Sequence, residues 1–196
     1  MNRLLRPLAI AVVSTFLCGL SPTASASHFR FANLSWKRAP GTNALAVEIT
    51  VTEAWRSASS GPGEISFSYG DGSPNFTTAA ATRIATLTDA AGEEYEVWRY
   101  TTSHTYPSNG LFQVAGSSCC RISTLANAAD ASESFQMLVD LRSTANTGSP
   151  VITAPVILQM QAGTNNSVAL PIVDPDGDAF TVRLATSAES SISSLP

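Results

Sequence analysis

Residues 45–52 read Leu45-Ala46-Val47-Glu48-Ile49-Thr50-Val51-Thr52. In an extended chain Leu45, Val47, Ile49 and Val51 share one side, while Glu48, Thr50 and Thr52 share the other. That is the pattern of a half-buried β-strand. The alternation returns at Ile65, Phe67 and Tyr69 against Glu64, Ser66 and Ser68, and again at Phe135, Met137, Val139 and Leu141. Over 95–100 both faces carry rings, with Tyr95, Val97 and Arg99 on one and Glu96, Trp98 and Tyr100 on the other. Turn chemistry separates these runs at Ser60-Gly61-Pro62-Gly63, Gly70-Asp71-Gly72-Ser73-Pro74, Asp89-Ala90-Ala91-Gly92 and Pro107-Ser108-Asn109-Gly110. The Ala-rich stretch 78–91 has room for a turn of helix, but Thr82, Thr86 and Thr88 favour strand. Short strands and dense turns predict an all-β chain: an immunoglobulin-like β-sandwich plus a partial second β-sandwich.

The chain begins MNRLLRPLAIAVVSTFLCGLSPTASAS. Arg3 and Arg6 precede an apolar run from Leu8 to Leu20, and Ala24-Ser25-Ala26 supplies small residues for cleavage. This predicts a signal peptide over 1–26, cut after Ala26, and hence a secreted or cell-surface protein. The run is shorter than the roughly 20 residues a spanning helix needs. No second such stretch follows, so membrane insertion of the mature chain is not expected. Cys18 follows Leu17 rather than a small residue, which argues against lipoprotein processing.

The whole chain carries a formal net charge of −4, and its signal removes basic residues. An acidic balance without basic runs excludes nucleic acid as the expected partner. Of three cysteines only Cys119 and Cys120 lie beyond the signal, and they are adjacent. In an oxidising compartment they can form a vicinal disulfide, remain buried thiols, or pair with another chain. Neighbours in a strand point to opposite faces, so a vicinal bridge requires the chain to turn there.

A boundary is expected at Ala145-Asn146-Thr147-Gly148-Ser149-Pro150. It divides a first sandwich over 27–145 from a linker at 146–152 and the start of a second β domain at 153–196. In that second part 151–157 and 168–172 read as strands, and Phe180, Val182 and Leu184 alternate as a further one. Half a sandwich's worth of strands leads us to expect a truncated second domain.

Two stretches, Phe67-Ser68-Tyr69-Gly70-Asp71-Gly72-Ser73 and His104-Thr105-Tyr106-Pro107-Ser108-Asn109-Gly110-Leu111-Phe112-Gln113-Val114, together resemble the polycystic-kidney-disease (PKD) domain. That family has an aromatic residue before Gly-Asp-Gly, then a His-x-Tyr stretch leading to Gly, an aromatic residue and Val. The resemblance covers 29–142. Phe-Ser replaces the family's usual Trp-Asp, and the long interval from Phe76 to Ser103 predicts an inserted hairpin. Gly70 and Gly72 allow positive φ, and the Asp71 carboxylate can accept backbone N–H groups inside the turn. His104 and Tyr106 share a strand face and can pack beneath that turn. Gly70, Asp71, Gly72, His104, Tyr106 and Gly110 are therefore expected to be a structural motif.

The stretch Asp174-Pro175-Asp176-Gly177-Asp178 resembles the DPDGD turn of cadherin-like bacterial surface domains. Asp174, Asp176 and Asp178 offer hard oxygen ligands for calcium, and Gly177 permits the bend that wrapping an ion requires. The alternative is an acidic turn that solvates its own charges, since no downstream Glu completes an EF-hand. Trp36, Trp55 and Trp98 read as core or edge packing rather than a sugar platform, and Glu93, Glu94 and Glu96 as a solvated face. Three sequons begin at Asn33, Asn75 and Asn165; the bacterial style of the signal argues against their glycosylation. No nucleophile elbow, zinc spacing or phosphate loop is present, so the chain is not read as an enzyme. The expected function is adhesion or extracellular protein interaction. The alternative is an accessory, spacer or polysaccharide-binding domain of a secreted hydrolase.

Overall fold

The computed structural model describes residues 29–57, 62–122 and 132–190. The predicted signal peptide and its cleavage site lie outside these residues. Ten strands run β1 Phe29–Arg38, β2 Ala46–Arg56, β3 Ser66–Ser68, β4 Phe76–Thr77, β5 Thr82–Thr88, β6 Glu94–Thr105, β7 Leu111–Ser118, β8 Glu133–Asp140, β9 Val151–Ile152 and β10 Ile172–Val173, before a one-turn helix α1 at Ser187–Ser190. One sheet has the order β1-β2-β6-β5 and the other β4-β3-β7-β8. All their ladders are antiparallel. The fold is an all-β, immunoglobulin-like sandwich.

The alternating stripes meet between the sheets. Val47, Ile49 and Val51 from β2 pack with Ile65, Phe67, Val114, Phe135, Met137 and Val139 in one buried cluster. Fully buried aliphatic and aromatic side chains each contribute about 1.5–3 kcal/mol. These stripes are thus the main source of the sandwich's stability. Trp36 and Trp55 are core residues at 3% and 4% exposed, and Trp36 Nε1 donates to the Leu138 carbonyl at 2.9 Å across the sandwich. Neither ring is available to stack on a sugar.

β5 and β6 form an antiparallel hairpin within the first sheet. Gly92, with φ +80°, closes its turn, and the Gly92 amide donates to the Asp89 carbonyl at 3.0 Å.

The C-terminal part differs from the alternation. Among the described residues only β9 and β10 pair there, and Phe180, Val182 and Leu184 form no strand and are 46%, 58% and 81% exposed. Alternation produces a strand when one face is covered; no facing sheet covers these side chains among the described residues. The preceding segment lies on the first sandwich. Val156 and Ile157 pack against Ala54, Tyr95 and Val97 on the outer face of the first sheet. Residues of the expected linker bond to β1, through Arg38 N–H to the Thr147 carbonyl at 2.8 Å and Ser149 N–H to the Trp36 carbonyl at 2.9 Å.

Candidate functional site

Three polar constellations and one surface carry the chemistry. At the first, both glycines of Gly70-Asp71-Gly72 adopt positive φ, +82° and +86°. Asp71 Oδ1 accepts the Ser73 N–H at 3.0 Å, and His104 Nε2 lies 2.7 Å from Asp71 Oδ2. The His104 ring stacks on Tyr69 at 3.8 Å, and the Tyr106 hydroxyl donates to the Tyr69 carbonyl at 3.1 Å. Burial pushes the Asp71 carboxyl up, but the hydrogen bonds from His104 and Ser73 prevail and hold it below the usual range. Gly110 lies at the far end of the motif, where its carbonyl accepts the Leu141 N–H at 2.8 Å. Asp71, His104, Tyr69 and Tyr106 form one clamp between the turn and β6, with their side chains largely buried.

Tyr106→Phe keeps the ring stack on Phe112, at 4.2 Å between centroids, and removes only the hydroxyl. A buried carbonyl left without its donor costs about 1–2 kcal/mol. A urea titration is expected to show a loss of that size with an unchanged slope.

The second constellation was not legible as such. Glu93, expected to be solvated, accepts from Arg30 at 2.9 Å and also pairs with Arg56. Arg30 reaches Asp89 at 2.7 Å, and its guanidinium sits over the Tyr95 ring at 5.4 Å. Hydrogen bonding by Arg30 holds the Asp89 carboxyl below its ordinary range; Arg56 does the same for Glu93. Glu96, read as part of the same solvated face, pairs with Arg83. This network anchors the β5–β6 hairpin to β1 and β2.

Glu53 is the third. It continues the stripe of Val47, Ile49 and Val51, and is 0% exposed inside the sandwich. The Thr78 hydroxyl makes a long 3.5 Å contact to Oε2, and Oε1 has no hydrogen-bond partner among the described residues. Burial raises its carboxyl to about 7, with the Trp55 indole and Thr78 pulling the other way.

The candidate metal residues lie on one turn. Asp174 Oδ1 accepts the N–H groups of Asp176 and Asp178 at 2.9 and 3.1 Å. Asp176 instead turns to the linker: Oδ2 accepts the Thr147 N–H at 2.8 Å, and Oδ1 accepts the Thr147 hydroxyl. Among the described residues no three His, Cys, Asp or Glu side chains converge as a set that could hold a metal ion. The donors present therefore fit a turn-to-linker staple better than an ion cage. Cys119 and Cys120 follow the end of β7, outside any strand, and their sulfurs are joined.

The surface is the outer face of the β1-β2-β6-β5 sheet. Its pairing sets three polar rows side by side: Lys37–Glu48–Ser103, Ser35–Thr50–Thr101 and Asn33–Thr52–Arg99. The Thr50 and Thr101 hydroxyls lie 3.2 Å apart. Residues 151–156 wall this face into a groove of about 690 Å³. At its other end the face becomes apolar, with Phe31, Ala54, Val97 and Ala85 under Val156 and Ile157.

An antiparallel sandwich with polar groups held in hairpin clamps and a hydroxyl-rich open face defines an all-β, immunoglobulin-like module. The chain belongs to the family described as integrin beta-like protein A-E, N-terminal, which matches residues 30–142. No curated protein and no solved structure matches the chain. The match carries a different description from the PKD domain that the Gly-Asp-Gly and His-Thr-Tyr motifs resemble. Among the described residues no helix is long and apolar enough to cross a membrane.

Proposed function

We propose that the chain is a non-enzymatic, secreted or cell-surface adhesion module, and that it binds an extracellular protein through the groove on its outer face. The observation that carries this reading is the family match over 30–142, because that span contains all three polar rows of the face. The family's description as integrin beta-like supports adhesion. The burial of Trp36 and Trp55 favours a protein partner over polysaccharide, which such modules grip with exposed rings. Retention of the purified chain on insoluble polysaccharide, unaffected by changes to Thr50 and Thr101, would reverse that preference.

Calcium enters this reading at Asp174, Asp176 and Asp178. Thr147 already supplies two donors to Asp176, so an ion there would have to displace them. Thermal melting with calcium and with a chelator is expected to give the same midpoint. A midpoint raised by calcium would make the turn an ion site and the Thr147 staple its metal-free form.

A further inference from the structure

A disulfide stabilises a fold mainly by closing a loop in the unfolded chain, and longer loops gain more. The Cys119–Cys120 bond spans a sequence separation of 1, so it restrains almost nothing in the unfolded chain. Its position suggests another use. β7 ends at Ser118, which is buried, whereas Cys119 is exposed and Cys120 half-buried. The next residue, Arg121, bridges in parallel to Phe29, and its guanidinium lies 3.2 Å from Glu133 at the start of β8. Phe29 in turn packs its ring on Trp55 and Phe135, at 5.2 and 5.4 Å between centroids. The pair therefore sits where the chain leaves the second sheet and reaches the first residue of the first.

We propose that Cys119–Cys120 is a thiol–disulfide exchange site through which an exogenous dithiol controls this crossover. A thiolate of the dithiol attacks the exposed Cys119 sulfur, the S–S bond breaks, and Cys120 leaves as a thiolate that takes up a proton. The second thiol of the reagent then attacks the mixed disulfide and releases Cys119, which is protonated in turn. The protein gains two electrons and two protons, and the dithiol is oxidised to its own disulfide.

Opening the bond frees the turn that presents Arg121. Burial pushes the Glu133 carboxyl up and Arg121 draws it back down, so a displaced Arg121 leaves Glu133, half-buried with 22% of its side chain exposed, without its ion-pair partner. The ladders of β2 with β6 and of β7 with β8 do not include either cysteine. The change is thus local to the crossover.

The test uses the purified chain under native conditions, with dithiothreitol as the probe and iodoacetamide to trap thiols, read by peptide mass spectrometry so that Cys18 is scored separately. The expected result is no adduct on Cys119 or Cys120 before reduction and one on each after it, while the thermal transition stays cooperative. Hydrogen exchange should rise at Phe29, Arg121 and Glu133 and stay unchanged along β2 and β6. A Cys119→Ser, Cys120→Ser double variant should reproduce the exchange pattern of the reduced protein. Adducts before reduction, a disulfide-linked dimer on a non-reducing gel, bond opening only in the unfolded protein, or a double variant that exchanges like the oxidised form would each overturn the proposal.

Discussion

Glu53→Gln is expected to raise the stability of the sandwich at pH 8 and to remove most of its pH dependence between about 4.5 and 7. In the unfolded chain the Glu53 carboxyl ionises near its ordinary value of 4.5, whereas in the fold burial moves it to about 7. Between those values the folded state holds a proton that the unfolded state has lost, so stability falls as pH rises through the window and levels off above it. At about 1.4 kcal/mol per pH unit the full effect is about 3 kcal/mol. For a domain of this size that corresponds to roughly 10 °C in melting temperature. A glutamine keeps the shape and the contact with Thr78 but never ionises. Urea midpoints at a series of pH values check this. A wild-type profile that is flat from pH 4.5 to 7, or a variant that follows the same slope, would show that Glu53 is not a buried acid.

Gly70→Ala is expected to cost more than about 3 kcal/mol, and Gly72→Ala only about 1 kcal/mol. Both glycines have a left-handed backbone, at φ +82° and +86°, so conformation alone predicts equal losses of about 1–2 kcal/mol. Their surroundings separate them. A Cβ on Gly70 would fall onto the Gln113 carbonyl oxygen, with the Gln113 amide nitrogen at 2.8 Å and carbonyl carbon at 2.9 Å, while one on Gly72 meets nothing within 4 Å. Backbone held in a ladder between β3 and β8 has little freedom to yield, so the first substitution must push β7 away from the turn. Circular dichroism of both variants during urea unfolding checks the ranking. Equal losses at the two positions would mean that the turn does not press on β7.

The sandwich itself was legible because burial and alternation coincide. Val47, Ile49 and Val51, like Phe67 and Met137, carry apolar side chains at every second position and face one core. For the Gly70-Asp71-Gly72 turn, the sequence offered positive-φ glycines, a carboxylate able to accept backbone N–H groups, and His104 and Tyr106 on one strand face; the direct contact of His104 with Asp71 is visible only in three dimensions. Glu53 was missed although its parity places it inside: an acid on an apolar stripe is easily read as the strand's end. Glu93 is solvent-exposed as expected, with 43% of its side chain open, but its ion pairs were not legible, because Arg30 and Arg56 come from distant strands and nothing local in 89–96 announces them. The alternation of Phe180, Val182 and Leu184 misled in the opposite sense, since a period of two specifies a strand only when something covers one side.

The function proposed for the polar outer face is recognition of an extracellular protein. Its most direct test is saturable binding of the labelled chain to intact cells, compared with a Thr50→Glu, Thr101→Glu double variant. These hydroxyls are paired on the open face, so the variant should melt within a few degrees of wild type. Wild type is expected to bind saturably and in a manner sensitive to protease treatment of the cells, and the variant at least about tenfold more weakly, a loss of about 1.4 kcal/mol. Equal binding by a folded variant, or binding abolished by removing surface polysaccharide instead of protein, would contradict it.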